Sequence, residues 1–80
     1  EVVPAGTQLD RALEIAEVIA SQAPLAVQAT KASSRRFVEE GFAAAARELG
    51  PTQQRLLASD DADEGVRSFI ERRKAVFKGA

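Results

Sequence analysis

Two residues near the C-terminus, Phe69 and Arg72, have the side chains needed to bind a nucleotide. An aromatic ring can pack on a base, and a guanidinium can bind a phosphate through two parallel hydrogen bonds. Residues three apart on a helix are neighbours on one face, so these side chains are predicted to act together. A structural explanation is also open, and composition alone favours it, because cations near a helix C-terminus offset its partial negative charge. The cations concerned are Arg72, Arg73, Lys74 and Lys78.

Four carboxylates precede this basic segment and could either bind a cation or cap a helix. A calcium loop opening at Asp60 would need a ligand at its third position, where the chain has Ala62, and the residues that follow have helical spacing. Capping explains the carboxylates better, since one at Asp60 or Asp61 can accept backbone N–H groups of the first turn and Glu64 can reach back. The prediction is a capped helix without a metal site. The four residues are Asp60, Asp61, Asp63 and Glu64.

Three further features have both a functional and a structural explanation. A second basic cluster could line the same binding surface or be a solvated helix face. Adjacent Glu39 and Glu40 point about 100° apart on a helix, so they are predicted to be surface charges rather than an acid–base pair. The small residues 43–46 allow close helix packing, either within the chain or between subunits. The second basic cluster is Lys31, Arg35 and Arg36.

Composition excludes several kinds of site. The 80 residues include no histidine and no cysteine, so the usual metal ligands and nucleophile–base pairs are missing, and we expect neither a catalytic residue nor a metal site within the chain. A net charge of -1 does not favour nucleic acid or an anionic membrane surface as a partner. No apolar run approaches the roughly 20 residues that cross a bilayer. The lack of cysteine is compatible with a cytoplasmic location.

Helical periodicity and frequent alanine predict an all-α chain of about four helices. The first is predicted to run from an N-cap near Thr7 towards Gln22. The second should begin at Pro24, because proline suits the first turn of a helix, and end at about Arg35. The apolar positions are Leu9, Ala12, Leu13, Ala16, Ile19 and Ala20 in the first helix, and Leu25, Ala29 and Ala32 in the second.

The second half of the chain predicts two more helices. The third should run from about Phe37 through Leu49, where Gly50-Pro51 is expected to kink or break it, with a continuation to Ala58 left open. The fourth should open at Asp60 or Asp61. The apolar positions are Phe42, Ala45, Ala46 and Leu49 in the third helix, predicted to be buried on one side, and Val66, Phe69, Ile70 and Phe77 in the fourth.

Three segments, spread in order from residue 2 to residue 79, resemble the C-terminal part of the crotonase superfamily, the enoyl-CoA hydratases and isomerases. Residues 2–13 resemble the exit from the family's core, and residues 24–31 resemble its proline-led helix, which often ends in threonine and lysine. Residues 1–4 look like the end of a strand, so further sequence is expected upstream. Residues 59–79 are the most specific segment, with the family's spacing of an acidic pair, Glu64-Gly65, Phe69, Glu71, Arg73, Phe77 and Gly79.

The resemblance implies that residues 1–80 are the C-terminal helical (trimerisation) domain of a crotonase-like α/β enzyme whose N-terminal catalytic core lies outside the chain. In that family two backbone N–H groups polarise the thioester of an acyl-CoA, and glutamates of the core move protons while water adds to a double bond. CoA belongs to the substrate, and no separate cofactor is implied. By position, Phe69 matches the aromatic residue near the adenine, and Arg72 matches a basic residue, usually lysine, near the CoA phosphates.

The sequence therefore predicts an enoyl-CoA hydratase fragment, inactive alone, that contributes CoA contacts and oligomerisation as a homotrimer or a dimer of trimers. The substrate would be 2-trans-enoyl-CoA in fatty acid or related acyl-CoA metabolism. Another crotonase reaction, such as enoyl-CoA isomerisation, stays open because the residues that choose the reaction lie upstream. A different class, a stand-alone helical protein-interaction module, also stays open. Nucleic-acid binding is disfavoured because the basic residues form no continuous strip.

Overall fold

Four helices account for most of the computed structural model, which describes residues 1–80. Helix α1 spans Gln8–Ala20, α2 spans Pro24–Glu40, α3 spans Phe42–Leu57 and α4 spans Asp60–Glu71. There is no strand, and residues 72–80 form a C-terminal tail without regular secondary structure. The predicted all-α class and the four helices are confirmed. No helix is both long and apolar enough to span a membrane.

The first two helices begin where the sequence predicts, although one cap works differently. Thr7 occupies the N-cap position of α1, but its hydroxyl donates to the Pro4 carbonyl oxygen (2.6 Å) instead of accepting from the helix. Pro24 stands in the first turn of α2 as predicted, where its missing N–H leaves no hydrogen bond unmade. Local sequence therefore sets both starts, and no side-chain cap contributes to either.

The boundary between α2 and α3 lies later than predicted. Helix α2 continues past Arg35 to Glu40, because residues 36–40 contain no turn former. Gly41 is the break, with φ at +91° and ψ at 177°, a conformation that only glycine adopts readily. A single residue therefore separates the two helices. The predicted end near Arg35 and the predicted start at Phe37 are both wrong.

Helix α3 continues through Gly50-Pro51, so the predicted break is absent and the continuation towards Ala58, which was left open, is confirmed. Pro51 lies inside the helix, which continues to Leu57. Proline removes one backbone hydrogen bond from a helix interior, so other contacts must offset that loss. Helices α2 and α3 make the most extensive contact in the chain. Thr52 and Leu56, on the turns after the proline, are half-buried.

Little of the chain is buried. Ala44 and Ala45 are the only buried apolar residues, at 9% exposure each, so the middle of the small-residue segment packs within the chain. Phe42, Ala46 and Leu49, all expected on the buried side of α3, are exposed. Helix α1 has no buried residue at all, and its apolar stripe is open to solvent. Of the predicted apolar positions, only Ala45 is buried, so these 80 residues leave most of their apolar faces uncovered.

The overall shape is flat, with extents of 43 × 40 × 17 Å. The radius of gyration is 15.9 Å, whereas a compact chain of this length has about 12 Å. The accessible surface is 6637 Å², against about 4,700 Å² for a compact monomer of this mass. Roughly 2,000 Å² of additional surface is therefore open, which is the area of a large protein interface.

Candidate functional site

The predicted nucleotide contact lies at the end of α4, where the chain reverses direction. The Arg73 amide donates to the Ser68 carbonyl (3.0 Å), and the Arg72 amide donates to the Phe69 carbonyl (3.3 Å). This pair of bonds is the Schellman motif that closes many helices. The motif needs a left-handed residue, and Arg72 takes that place with φ at 54° and ψ at 45°. Arg72 is the only non-glycine residue of the chain with positive φ.

Phe69 and Arg72 are both accessible to a ligand. The Phe69 side chain is 85% exposed, and Arg72 is exposed and takes part in no salt bridge. Because α4 ends at Glu71, the two residues do not share a helical face, and that part of the prediction is wrong. They are instead joined across the chain reversal by the backbone bond between them. Their role in binding stays a prediction.

None of the four basic residues lies in the last turn of α4; Arg72 is its C-cap, and the others follow in the tail. Arg73 is held by carboxylates instead. Its guanidinium donates from Nη1 and Nη2 to Glu64 at 2.7 and 2.9 Å, and from Nε to Glu71 at 2.5 Å. These bonds, Glu64 first, raise the pKa of Arg73 above its ordinary value. Two adjacent arginines thus have different surroundings, and only Arg72 keeps its charge unpaired.

Two of the four acidic residues, Asp61 and Glu64, hold the tail instead of capping the helix. Ser59 is the N-cap of α4, and its hydroxyl accepts from the Ala62 amide (3.1 Å). Asp61 is only 4% exposed, and its two oxygens accept the backbone amides of Lys78 (2.7 Å) and Gly79 (2.8 Å). The Asp61 amide in turn donates to the carbonyl of Ala80 (2.9 Å). The capping role predicted for Asp60 or Asp61 is therefore wrong.

Glu64 is the second carboxylate that binds the tail. Besides Arg73 it accepts the Val76 amide at 2.8 Å, and its side chain is 17% exposed. The Arg73 guanidinium, followed by the Val76 amide, holds the pKa of Glu64 at about 2, below its ordinary value of 4.5. Glu64 makes no bond back to the start of α4, so the predicted capping box is absent. No group of three or more acidic residues is arranged to hold a metal ion.

Apolar contacts also attach the tail to the helices. A Cβ placed on Gly65 would lie 3.9 Å from Cε1 of Phe77, and one on Gly79 would lie 3.6 Å from Cβ of Pro24. The tail therefore joins α4 to the start of α2. Phe77, predicted on the α4 stripe, lies outside that helix and lines an open groove of about 550 Å³. The other residues of the groove are Ile19, Gln22, Ala23, Ala26, Val27, Thr30 and Lys31.

The fold separates one member of the second basic cluster from the other two. Lys31 and Arg35 line one shallow pocket on α2, and Lys31 also borders the apolar groove beside the tail, whereas Arg36 pairs with Glu40 across one turn of α2 (2.9 Å). Glu39 and Glu40 are both exposed, so the expectation that they are surface charges is confirmed. Sequence reasoning missed Ser59 as the cap of α4, although serine is a preferred N-cap residue. It also missed Ser68, which is buried and donates to the Gly65 carbonyl (2.9 Å).

Comparison with known proteins gives a consistent result over the whole chain. The family model described as enoyl-CoA hydratase/isomerase matches residues 1–80. A carnitinyl-CoA dehydratase of Proteus mirabilis (strain HI4320) is 40% identical over 82 residues, which cover 98% of this chain and 31% of that protein. A 2,3-dehydroadipyl-CoA hydratase of Escherichia coli (strain K12) is 33% identical over 79 residues, which cover 99% of this chain and 31% of that protein.

Solved structures agree with these relatives. A probable enoyl-CoA hydratase/isomerase from Mycobacterium abscessus superimposes with a TM-score of 0.96 at 49% identity, covering 100% of this chain and 31% of that one. An enoyl-CoA hydratase from Mycobacterium tuberculosis H37Rv gives a TM-score of 0.87 at 33% identity, covering 98% and 31%. The chain thus spans about a third of the length of the proteins it matches.

Proposed function

The chain belongs to the enoyl-CoA hydratase/isomerase family, as its resemblance to the crotonases predicted, and we propose that it is the C-terminal helical domain of an enzyme that hydrates 2-trans-enoyl-CoA thioesters. The observation that carries this proposal is the likeness of the entire chain to about a third of each relative. Two relatives are named as a dehydratase and a hydratase of CoA compounds, which favours hydration over the isomerase alternative.

The exposed apolar faces indicate that the chain packs against other protein surface in the full-length protein. A chain with only four buried residues and an open apolar stripe along α1 needs other protein surface to cover it. A catalytic core in the same polypeptide and neighbouring copies of it would supply that surface. The proposed assembly is a homotrimer or a dimer of trimers. Light scattering on the full-length protein measures its mass, and a monomer at micromolar concentration would contradict this part of the proposal.

The groups that polarise the thioester and move protons are proposed to lie outside these 80 residues. The chain has no histidine or cysteine. Its two most engaged carboxylates are already used, since Asp61 accepts two backbone amides and Glu64 is held by Arg73 with a pKa of about 2. A general base works best with a pKa near the operating pH, so Glu64 is unsuited to the task. The 80-residue chain alone should therefore be inactive.

Phe69 and Arg72 are the proposed contacts to the CoA part of the substrate. The exposed Phe69 ring can pack on the adenine, and the unpaired Arg72 guanidinium can bind a phosphate bidentately. Neither residue would act on the acyl group. Their removal should weaken substrate binding without slowing the chemical step, because the contact would be equal in the ground state and the transition state.

Steady-state kinetics of the full-length enzyme test this assignment. We expect Arg72→Ala to raise KM for the acyl-CoA at least about tenfold with kcat unchanged, since a charge-assisted hydrogen bond contributes roughly 1.5–3 kcal/mol. Lys74→Ala is the matched control, because Lys74 is an exposed cation on the same tail. An unchanged KM in Arg72→Ala, or an equal rise in Lys74→Ala, would show that Arg72 does not bind phosphate specifically.

The alternative of a stand-alone interaction module would use the same exposed apolar faces. The reading frame upstream of Glu1, checked against the intact mass of the native protein, separates the two proposals. A catalytic core in that frame supports the enzyme, whereas a start codon close to Glu1 supports the module. Fatty acid or related acyl-CoA metabolism and a cytoplasmic location belong to the enzyme proposal.

A further inference from the structure

Three successive cations, Arg72, Arg73 and Lys74, follow α4, and the two arginines have different surroundings. Arg73 donates to both oxygens of Glu64 and to Glu71. Arg72 has no carboxylate partner, although Glu71 is its neighbour in the chain. Arg73 thus engages the nearest carboxylate that could otherwise neutralise Arg72. An unpaired guanidinium is the form that can bind a phosphate.

The backbone of Arg72 is fixed from both sides. On one side the carbonyls of Ser68 and Phe69 accept the amides that close the helix. On the other, Glu64 binds the Arg73 side chain and the Val76 amide, so one carboxylate holds the chain both next to Arg72 and four residues after it. The left-handed conformation is unfavourable for a residue with a Cβ, so it persists only where its surroundings impose it. The bonds to Glu64 supply part of that constraint.

We propose that Glu64 and Arg73 are positioning residues for acyl-CoA binding, which hold the chain reversal at Arg72 and keep its guanidinium free for a CoA phosphate. This inference rests on the proposed role of Arg72. A binding group that is already ordered loses less conformational freedom when the ligand arrives. Without the bonds of Glu64 to Arg73 and Val76, the Arg72 backbone would leave its left-handed conformation and its guanidinium would lose its fixed position.

The experiment compares two substrates in the full-length enzyme. An acyl-CoA carries the nucleotide phosphates, whereas the corresponding acyl-pantetheine carries the same thioester without the nucleotide. We expect Glu64→Gln to raise KM for the acyl-CoA about three- to fivefold and to leave KM for the acyl-pantetheine and both kcat values unchanged. Arg72→Ala should raise KM for the acyl-CoA about tenfold. The double variant that combines Glu64→Gln with Arg72→Ala should have the same KM for the acyl-CoA as Arg72→Ala alone.

The control is Asp63→Asn, which removes a carboxylate from the same helix. Asp63 is exposed and its side chain makes no bond to the tail. We expect its kinetics to match the wild type with both substrates. Arg73→Lys is a second test if Glu64→Gln does not fold, because lysine keeps the charge but cannot donate to both glutamates in the same geometry. It should also raise KM for the acyl-CoA only.

The outcomes separate this inference from the proposed function. If Arg72→Ala raises KM and neither Glu64→Gln nor Arg73→Lys does, positioning is wrong and the phosphate contact stands. If Arg72→Ala itself has no effect, the phosphate contact fails and positioning fails with it. A Glu64→Gln variant that is equally impaired with the acyl-pantetheine, or that adds its full effect to Arg72→Ala, acts through general structure and overturns the inference.

Discussion

Replacing Asp61 by asparagine should release the C-terminal tail while leaving α4 folded. The Asp61 carboxylate accepts two backbone amides, from Lys78 at 2.7 Å and from Gly79 at 2.8 Å, at a site only 4% exposed. Asparagine has nearly the same shape but offers only one oxygen. Its amide group would face one of the tail amides, so that a donor meets a donor. One charge-assisted bond is lost and a backbone N–H is left without an acceptor.

The cost follows from those two bonds. A hydrogen bond to a charged group contributes roughly 1.5–3 kcal/mol, and an unsatisfied buried donor costs about 1–3 kcal/mol. Because both figures describe the loss of the same hydrogen bond, we do not add them and take about 2–3 kcal/mol as the destabilisation of the closed tail. This makes the opening equilibrium of the tail about 30- to 150-fold more favourable. Asp63→Asn is the matched control, because Asp63 is also in the first turn of α4 and is exposed. It loses only the helix-dipole contribution of about 0.3–1 kcal/mol.

Amide hydrogen exchange in the full-length protein measures this opening. The Lys78 and Gly79 amides should exchange about 30- to 150-fold faster in Asp61→Asn, and close to the wild-type rate in Asp63→Asn. Amides in the middle of α4 should keep their protection in both variants. Unchanged exchange at Lys78 and Gly79, or equal acceleration in the two variants, would refute the assignment of Asp61 as the residue that holds the tail.

Three further predictions concern the end of α4 and the open faces. Arg72→Gly should stabilise the full-length protein by about 1 kcal/mol relative to Arg72→Ala in denaturant unfolding, because glycine adopts the left-handed conformation freely, and equal stabilities would contradict this. Glu64, with a pKa of about 2 against 4.5 ordinarily, stabilises the tail above pH 4.5. That contribution is lost as pH falls from 4.5 towards 2, so Val76 amide protection should decrease over this range and Glu64→Gln should remove the decrease. The 80-residue chain alone should self-associate in sedimentation and melt without a cooperative transition in circular dichroism. A monomer with a sharp transition would argue against the proposal that its apolar faces pack on other protein surface.

The helices were predictable because their signals are local. Alanine content, apolar spacing and Pro24 in a first turn act within one or two helical turns, and the structure has four helices as those signals indicate. The boundary errors had local causes as well. Gly41 was a stronger break signal than any residue near Arg35. Ser59, which stands just before the aspartates and is as good an N-cap type as they are, was overlooked as the cap.

The continuity of α3 was harder to predict. Gly50 and Pro51 both disfavour a helix interior, so the local signal points to a break. Helix α3 nevertheless continues to Leu57, alongside its contact with α2. Packing between helices can outweigh intrinsic propensity, and the sequence of one segment does not reveal how much packing it will receive.

The sequence by itself determined the helical class, the family and the identity of the exposed candidates Phe69 and Arg72. Only the tertiary structure decided which partners the carboxylates of α4, Asp61 and Glu64, bind. Asp61 has the sequence context of a capping residue, yet its partners lie at Lys78 and Gly79 because the tail turns back at Arg72. Helical periodicity and caps are read over a few residues, whereas a bond between distant residues depends on where the chain reverses, and one left-handed arginine sets that reversal.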